Sequence, residues 1–170
     1  MRIAIHGWGS LLWCPRKLET DGEWQPDAPR LPMEFARISG KNADILTLVL
    51  LKGVEPIQTY WIKSGKAQLD EARENLRICE GKKLDVGDMG YLTRDGCGWF
   101  TPFTQIESTL RDWLQGKPDL DAMIWTGLGS NFEKELERPF SVENSVAWLR
   151  DLNARNQHTK AEKYIRCARN

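Results

Sequence analysis

The chain has 170 residues and a formal net charge of zero, with 24 basic and 24 acidic side chains. This length suits one domain, spanning residues 1–170, that buries a sizeable core. A balanced charge gives no electrostatic reason to bind nucleic acid. The sequence carries neither the pattern of a signal peptide nor an apolar run of about 18 residues. We therefore expect a cytoplasmic protein with neither a nucleic-acid nor a membrane partner.

A short apolar strand around Ile3 and Ile5 leads into a loop that contains two glycines. Glycines allow positive φ angles and close approach of a ligand to the main chain, and the backbone amides of such a loop suit a carboxylate or phosphate. A dinucleotide-binding fold would need a third glycine and a helix that begins in the loop, whereas Pro15 works against a continuous helix. The sequence predicts an anion site at the end of this strand, lined by Gly7, Trp8, Gly9, Ser10 and Leu11.

The next segment, residues 14–32, contains four prolines and Gly22 and predicts a long irregular loop. Such a loop is either a lid over the site or a solvated connection, and Trp24 is its best candidate for a contact with a ligand or with the body of the domain. Three strands are predicted after it, at 33–39, 45–51 and 57–62. The second is apolar almost throughout, which predicts a central strand covered on both faces.

A helix is predicted from Lys66 to Cys79, with Ser64 as its N-cap and Gly81 at its C-terminal end. Helical spacing puts Leu69, Ala72, Leu76 and Cys79 on one stripe that faces the sheet. The remaining predicted elements are a hairpin around Asp95-Gly96, a helix from a Thr104/Glu107 capping box to Gly116, a strand at 122–125, a loop at 127–132, and two helices that begin at Ser141 and Thr159. Irregular alternation of strands and helices predicts an α+β fold.

The stretch Gly7-Trp8-Gly9-Ser10-Leu11-Leu12-Trp13 resembles the opening of the glutathione-degrading branch of the γ-glutamylcyclotransferase-like superfamily. Trp8 stands where that family usually has tyrosine. The resemblance extends to 33–51 and 66–81, and it implies a small mixed, partly closed β-barrel with packed helices. It also implies that the loop amides hold the carboxylate of a γ-glutamyl group. A glutamate then assists attack of that group's amine on its own γ-carbonyl, which releases 5-oxoproline and an amine.

The family's catalytic glutamate lies at the end of the helix after the central strands, where this chain offers Glu71, Glu74 and Glu80. Helical spacing places Glu74 on the face opposite the apolar stripe and Glu71 also away from that stripe. Glu80 lies next to the stripe, one helical turn after Leu76. At the helix end a carboxyl feels the negative pole of the helix and holds its proton more tightly. We therefore expect Glu80 to be the general base, with Glu74 as the alternative.

Other side chains have two possible roles each. Arg37, in an Arg-x-Ser that resembles the same branch, either clamps a carboxylate or discourages pairing of a strand edge. Asn131 either brings an amide to the site or forms a turn. His6 is expected to be structural, although it could touch the ligand. Cys14 is expected to be an inert thiol, because Pro15 removes helix-end activation.

The resemblance implies a cofactor-free enzyme that releases 5-oxoproline from a γ-glutamyl amine or a related small amide. Only two histidines accompany four cysteines that form no Cys-x-x-Cys pair, so no metal site is expected. The expected partner is a small molecule with a carboxylate. The alternative is a noncatalytic small-molecule binding protein on the same scaffold. A buried glutamate that faces a pocket beside the loop at 7–11 favours the enzyme, and an exposed Glu80 favours the binder.

Overall fold

A computed structural model describes residues 1–39, 44–81, 84–100 and 102–168. The chain divides into two compact units, each built from two segments. The first unit comprises residues 1–31 and 56–127, and the second comprises residues 32–55 and 128–170. Among the described residues, no helix combines the length and apolar character that crossing a membrane requires.

The first unit is built on a six-stranded mixed sheet. The elements of this unit are β1 (Ile3–Gly7), α1 (Ser10–Trp13), β2 (Thr20–Gln25), β5 (Pro56–Ile57), β6 (Tyr60–Ser64), α2 (Leu69–Glu80), β7 (Met89–Thr93), β8 (Gly98–Trp99), α3 (Glu107–Gln115) and β9 (Ala122–Thr126). The strand order of the sheet is β2-β6-β1-β9-β7-β8. Its central strands β1 and β9 are parallel, while the other neighbouring pairs are antiparallel.

Helix α2 covers one face of this sheet through the apolar stripe that its spacing predicts. Ala72, Leu76 and Cys79 are buried, and Leu69 packs against the same core. From the sheet, Ile5 of β1 and Ile124 of β9 enter this core. Because side chains alternate along a strand, every second residue of β1 and β9 faces α2. The end of α2 lies at the end of β9, because the last residues of the two elements, Glu80 and Thr126, share a hydrogen bond.

The second unit pairs β3 (Leu31–Ser39) with β4 (Ile45–Leu50) in antiparallel register. Three helices complete it, namely α4 (Phe132–Leu136), α5 (Val142–Ala154) and α6 (Thr159–Ala168). Ser141 caps α5 as predicted, since its hydroxyl accepts a hydrogen bond from the amide of Asn144 at 3.1 Å. The core of this unit gathers Ile38, Leu46, Phe132, Trp148 and Leu152.

The α+β class is confirmed, with mixed strand pairing. The described strands form an open order rather than a closed barrel. The apolar strand at 45–50 is buried over Leu48 to Leu50, but within the described part of the chain it pairs with β3 alone and therefore lies at a sheet edge rather than in the predicted central position.

Several predicted boundaries are wrong. Residues 14–32 are not one irregular loop, because β2 pairs with β6 along the sheet edge and β3 begins at Leu31. The predicted strand at 57–62 is two strands, β5 and β6. Ser64 ends β6 and accepts a bond from the Lys66 amide, so α2 begins only at Leu69. The Thr104 capping box is absent from the described structure, in which a 3₁₀ turn at Thr104–Ile106 leads into α3.

Candidate functional site

The parallel strands β1 and β9 end at the same edge of the first unit's sheet. Their register pairs Ile3 with Ala122 and Ile5 with Ile124. Continuing it by two residues brings Gly7 level with Thr126, the last residue of β9. Both positions face α2, because side-chain direction alternates along each strand. The glycine loop that follows β1 therefore begins beside Thr126.

The two glycines of the loop are required for different reasons. Gly9 has φ 54° and ψ −135°, a conformation that side chains rarely adopt, and α1 begins directly after it. Gly7 lies under the indole of Trp24, and a Cβ at Gly7 would collide with that ring. Trp24 therefore reaches across from edge strand β2 and covers the end of β1.

The loop side chains are mostly buried. Trp8 and Leu11 are 8% and 5% exposed, and Leu11 belongs to the core under α2. Ser10 is half-buried, and its carbonyl accepts a bond from the Cys14 amide at 2.8 Å. Gly7 and Gly9 are buried as well, so of residues 7–11 only Ser10 is partly exposed. The predicted pocket along residues 7–11 stays a prediction.

Glu80 is the last residue of α2 and lies at this same edge. Its Oε1 accepts a hydrogen bond from the Thr126 hydroxyl at 3.0 Å, and its side chain is half-buried. Burial raises the pKa of the Glu80 carboxyl above its usual value, while the Thr126 bond and the positive charge of Arg16 oppose that rise. The structure thus brings a desolvated carboxyl to the edge where the glycine loop begins.

The two competing glutamates have different surroundings. Glu71 is exposed to solvent. Glu74 forms an ion pair with Arg77 at 2.6 Å, and hydrogen bonding to that guanidinium lowers the pKa of the Glu74 carboxyl. A general base for an amine needs a pKa nearer neutrality than an ordinary glutamate has. Of the three glutamates, Glu80 has the environment that this role requires.

A segment after α1, Pro15–Glu19, runs along the C-terminal half of α2; we call it the strap. The Cys79 thiol donates to the Pro15 carbonyl at 2.8 Å, and Arg16 Nη1 donates to the Cys79 carbonyl at 3.1 Å. Asn75 bridges two further strap residues, because its amide nitrogen donates to the Lys17 carbonyl and its oxygen accepts from the Glu19 amide. The strap links the glycine loop to the helix that carries Glu80.

Neither nearby cysteine has the surroundings of a nucleophile. Cys79 is buried, its thiol donates to Pro15, and burial raises the pKa of that thiol, which disfavours the thiolate. Cys14 is exposed at the end of α1, and its amide closes that helix on Ser10. The prediction that Cys14 is inert is consistent with this position.

His6 is buried behind the loop, at 1% exposure. Its Nε2 lies 2.5 Å from the Thr59 hydroxyl, which itself donates to the Pro29 carbonyl, so His6 Nε2 carries the proton. The ring stacks on Trp113 and meets Trp8 edge-on. Burial lowers the pKa of His6 to about 3. This neutral imidazole fits the structural role that the sequence predicts.

Arg37 and Asn131 both belong to the second unit. Arg37 Nη1 donates to the Gly129 carbonyl at 3.0 Å. The side-chain amide of Asn131 pairs with both backbone groups of Ile38, at 2.8 and 2.9 Å, and so fastens the start of α4 to β3. Asn131 therefore has a structural role in this unit, and a ligand contact by Arg37 stays a prediction.

Thr126 and Arg16 are the two site residues that sequence reasoning missed. Thr126 could have been found as the polar residue at the end of a strand parallel to β1, where ligand-binding groups converge. No sequence pattern marks Arg16 as a site residue, because its position near Glu80 depends on how the strap packs against α2. No family model matches this chain, and neither the curated proteins nor the solved structures include one significantly similar to it.

Proposed function

We propose that this protein is a cofactor-free cyclotransferase that releases 5-oxoproline from a γ-glutamyl amine or a related small amide, on a γ-glutamylcyclotransferase-like fold. The observation that carries the proposal is the Glu80 carboxyl, which is desolvated and bonded to Thr126 at the edge where the glycine loop begins. The resemblance of residues 7–13 to that family supplies the reaction class.

In the proposed reaction, the main chain of the loop at Gly7–Leu11 binds the substrate's α-carboxylate. Glu80 takes a proton from the substrate's α-amine, and the freed nitrogen attacks the γ-carbonyl carbon to form the ring C–N bond. Glu80 then returns a proton to the leaving nitrogen as the original amide C–N bond breaks. Because ring closure is intramolecular, positioning supplies much of the acceleration. A carboxyl with a raised pKa suits both proton transfers.

The half-buried position of Glu80 favours this enzyme over the noncatalytic binder. Burial of a carboxyl costs stability. A glutamate whose only role is to end a helix would therefore be expected to stay exposed to water. Glu74, which is paired with Arg77 on the helix surface, illustrates the solvated arrangement on the same helix.

The direct test is to incubate the purified protein with a panel of γ-glutamyl amino acids, γ-glutamyl peptides and γ-glutamyl amines and to measure 5-oxoproline by mass spectrometry. We expect 5-oxoproline and the free amine in equal amounts from at least one class. Thermal stabilisation by a γ-glutamyl compound without any 5-oxoproline would favour the noncatalytic binder. A panel that neither reacts nor binds would contradict both functions.

A further inference from the structure

Arg16 has an unusual backbone for a residue with a long side chain. Its φ is 51°, in the left-handed region that favours glycine. Residues kept in such conformations cluster at functional sites, where surrounding contacts hold them. Here the strap supplies those contacts, because bonds from α2 fix Pro15 before Arg16 and Lys17 after it.

This backbone brings the Arg16 guanidinium to the end of α2. Arg16 Nη1 donates to the carbonyl of Cys79, the residue directly before Glu80. Carbonyls in the last turn of a helix lack helical partners and carry partial negative charge, so a guanidinium is well placed there. The contact fixes the turn from which the Glu80 side chain extends.

The Thr126 hydroxyl from β9 donates to the Glu80 carboxyl. Two further groups act on that carboxyl through charge: the Arg16 guanidinium from the strap and the Cys79 thiol on α2 itself. Of these three, Arg16 carries the positive charge. The hydroxyl orients the carboxyl, and the guanidinium favours its ionised form against the effect of burial.

We propose that Arg16 is a positioning residue for Glu80, which anchors the last turn of α2 through the Cys79 carbonyl and places a positive charge near the Glu80 carboxylate. Its part in turnover rests on the proposed function, whereas its effect on Glu80 is a property of the folded protein. A cation near a buried carboxyl favours the ionised form, which is the form that can accept a proton.

The test is an NMR titration of the Glu80 side-chain carboxyl, assigned by the signal lost in Glu80→Gln. Arg16→Met removes the charge, Arg16→Gly also removes the backbone strain, and Arg16→Lys keeps a positive charge. We expect the pKa of Glu80 to rise in Arg16→Met and Arg16→Gly and to stay near the wild-type value in Arg16→Lys. Lys17→Met, which alters the neighbouring cation on the strap, is the matched control and should change nothing.

An unchanged Glu80 titration in both Arg16→Met and Arg16→Gly would overturn the proposal. Because glycine adopts the left-handed backbone readily, Arg16→Gly keeps the test valid if the methionine variant folds poorly. With an accepted substrate, the acidic limb of the kcat profile should move to higher pH in Arg16→Met, with roughly tenfold lower kcat near neutrality and KM within about twofold. A change in KM alone would contradict the proposal.

The titration separates the two proposals, because it requires no turnover. A shifted Glu80 titration without any 5-oxoproline from the panel would support the role of Arg16 and reject the proposed function. 5-oxoproline release with an unshifted titration would reject the role of Arg16 alone.

Discussion

At the scale of single residues, the contact between Trp24 and Gly7 shows why the chain needs a glycine at the end of β1. The indole occupies the space that a Cβ at Gly7 would require. Trp24 also packs against the core under α2. Trp24 is therefore a fixed part of the packed unit, and its ring covers Gly7, the first residue of the glycine loop.

We predict that Gly7→Ala destabilises the protein by about 1–3 kcal/mol, because the added methyl overlaps the Trp24 ring. Trp24→Ala should itself cost stability, since it removes a partly buried indole. The double variant should cost less than the sum, with a coupling of about 0.5–3 kcal/mol. Urea unfolding of the four proteins measures this cycle, and strictly additive costs would mean that the two residues do not meet.

The position of Glu80 beside the buried stripe of α2 could be predicted from the sequence, because helical periodicity is a local property that one sequence displays. The apolar stripe of α2 separates Glu80 from Glu74 without knowledge of the rest of the fold. Arg16 and Thr126 could not be found in this way. Their proximity to Glu80 depends on the strap and on the parallel pairing of β1 with β9, which join residues far apart in the chain.

At the scale of elements, Asn75 is one of the α2 residues that hold the strap against the helix. Its amide forms two hydrogen bonds to strap backbone groups, at 3.1 Å to the Lys17 carbonyl and 2.9 Å from the Glu19 amide. We predict that Asn75→Ala lowers the free energy of unfolding by about 1–3 kcal/mol. Hydrogen exchange should also accelerate in the strap before it does so in β1.

Glu71→Ala, on the exposed face of the same helix, is the matched control for Asn75→Ala. It should leave both the unfolding free energy and exchange in the strap close to wild type. Equal protection of the strap in Asn75→Ala and wild type would show that the other strap contacts suffice without Asn75.

Elements with a strong local pattern were predictable, and those defined by distant partners were not. β1, α2, α3 and β9 carry clear periodicity or apolar runs and were predicted. β2 was missed because its residues are mostly exposed on the sheet edge, so no alternation marks it. β4 was predicted to be a central strand but lies at a sheet edge, because an apolar run indicates burial without naming the partner strands.

At the scale of the whole molecule, His6 makes stability depend on pH. Its pKa falls from 6.5 to about 3 on folding, so the unfolded chain binds more protons between those values. The stability that the neutral, buried His6 provides is therefore fully present above pH 6.5. The free energy of unfolding then falls as the pH falls from 6.5 toward 3. The loss approaches about 1.4 kcal/mol per pH unit within that window.

We predict that His6→Phe, which keeps an aromatic ring beside Trp113, removes this dependence. Between pH 7 and pH 5 the variant should lose about 2 kcal/mol less stability than the wild type. At pH 8 it should be about 1 kcal/mol less stable, since Thr59 loses the His6 donor. Urea unfolding at the three pH values measures both effects, and parallel pH dependence of the two proteins would refute this account.

The most direct measurement for the central claim is the rate of 5-oxoproline release by Glu80→Gln on an accepted substrate, compared with Glu74→Gln. The amide keeps the shape of Glu80 but cannot accept a proton, so we expect kcat to fall by about 10² to 10⁴, while Glu74→Gln remains within a few-fold of wild type. Glu80→Gln should stay folded, because it removes a charge that burial disfavours. Full activity in Glu80→Gln, or loss of activity in Glu74→Gln instead, would contradict the account.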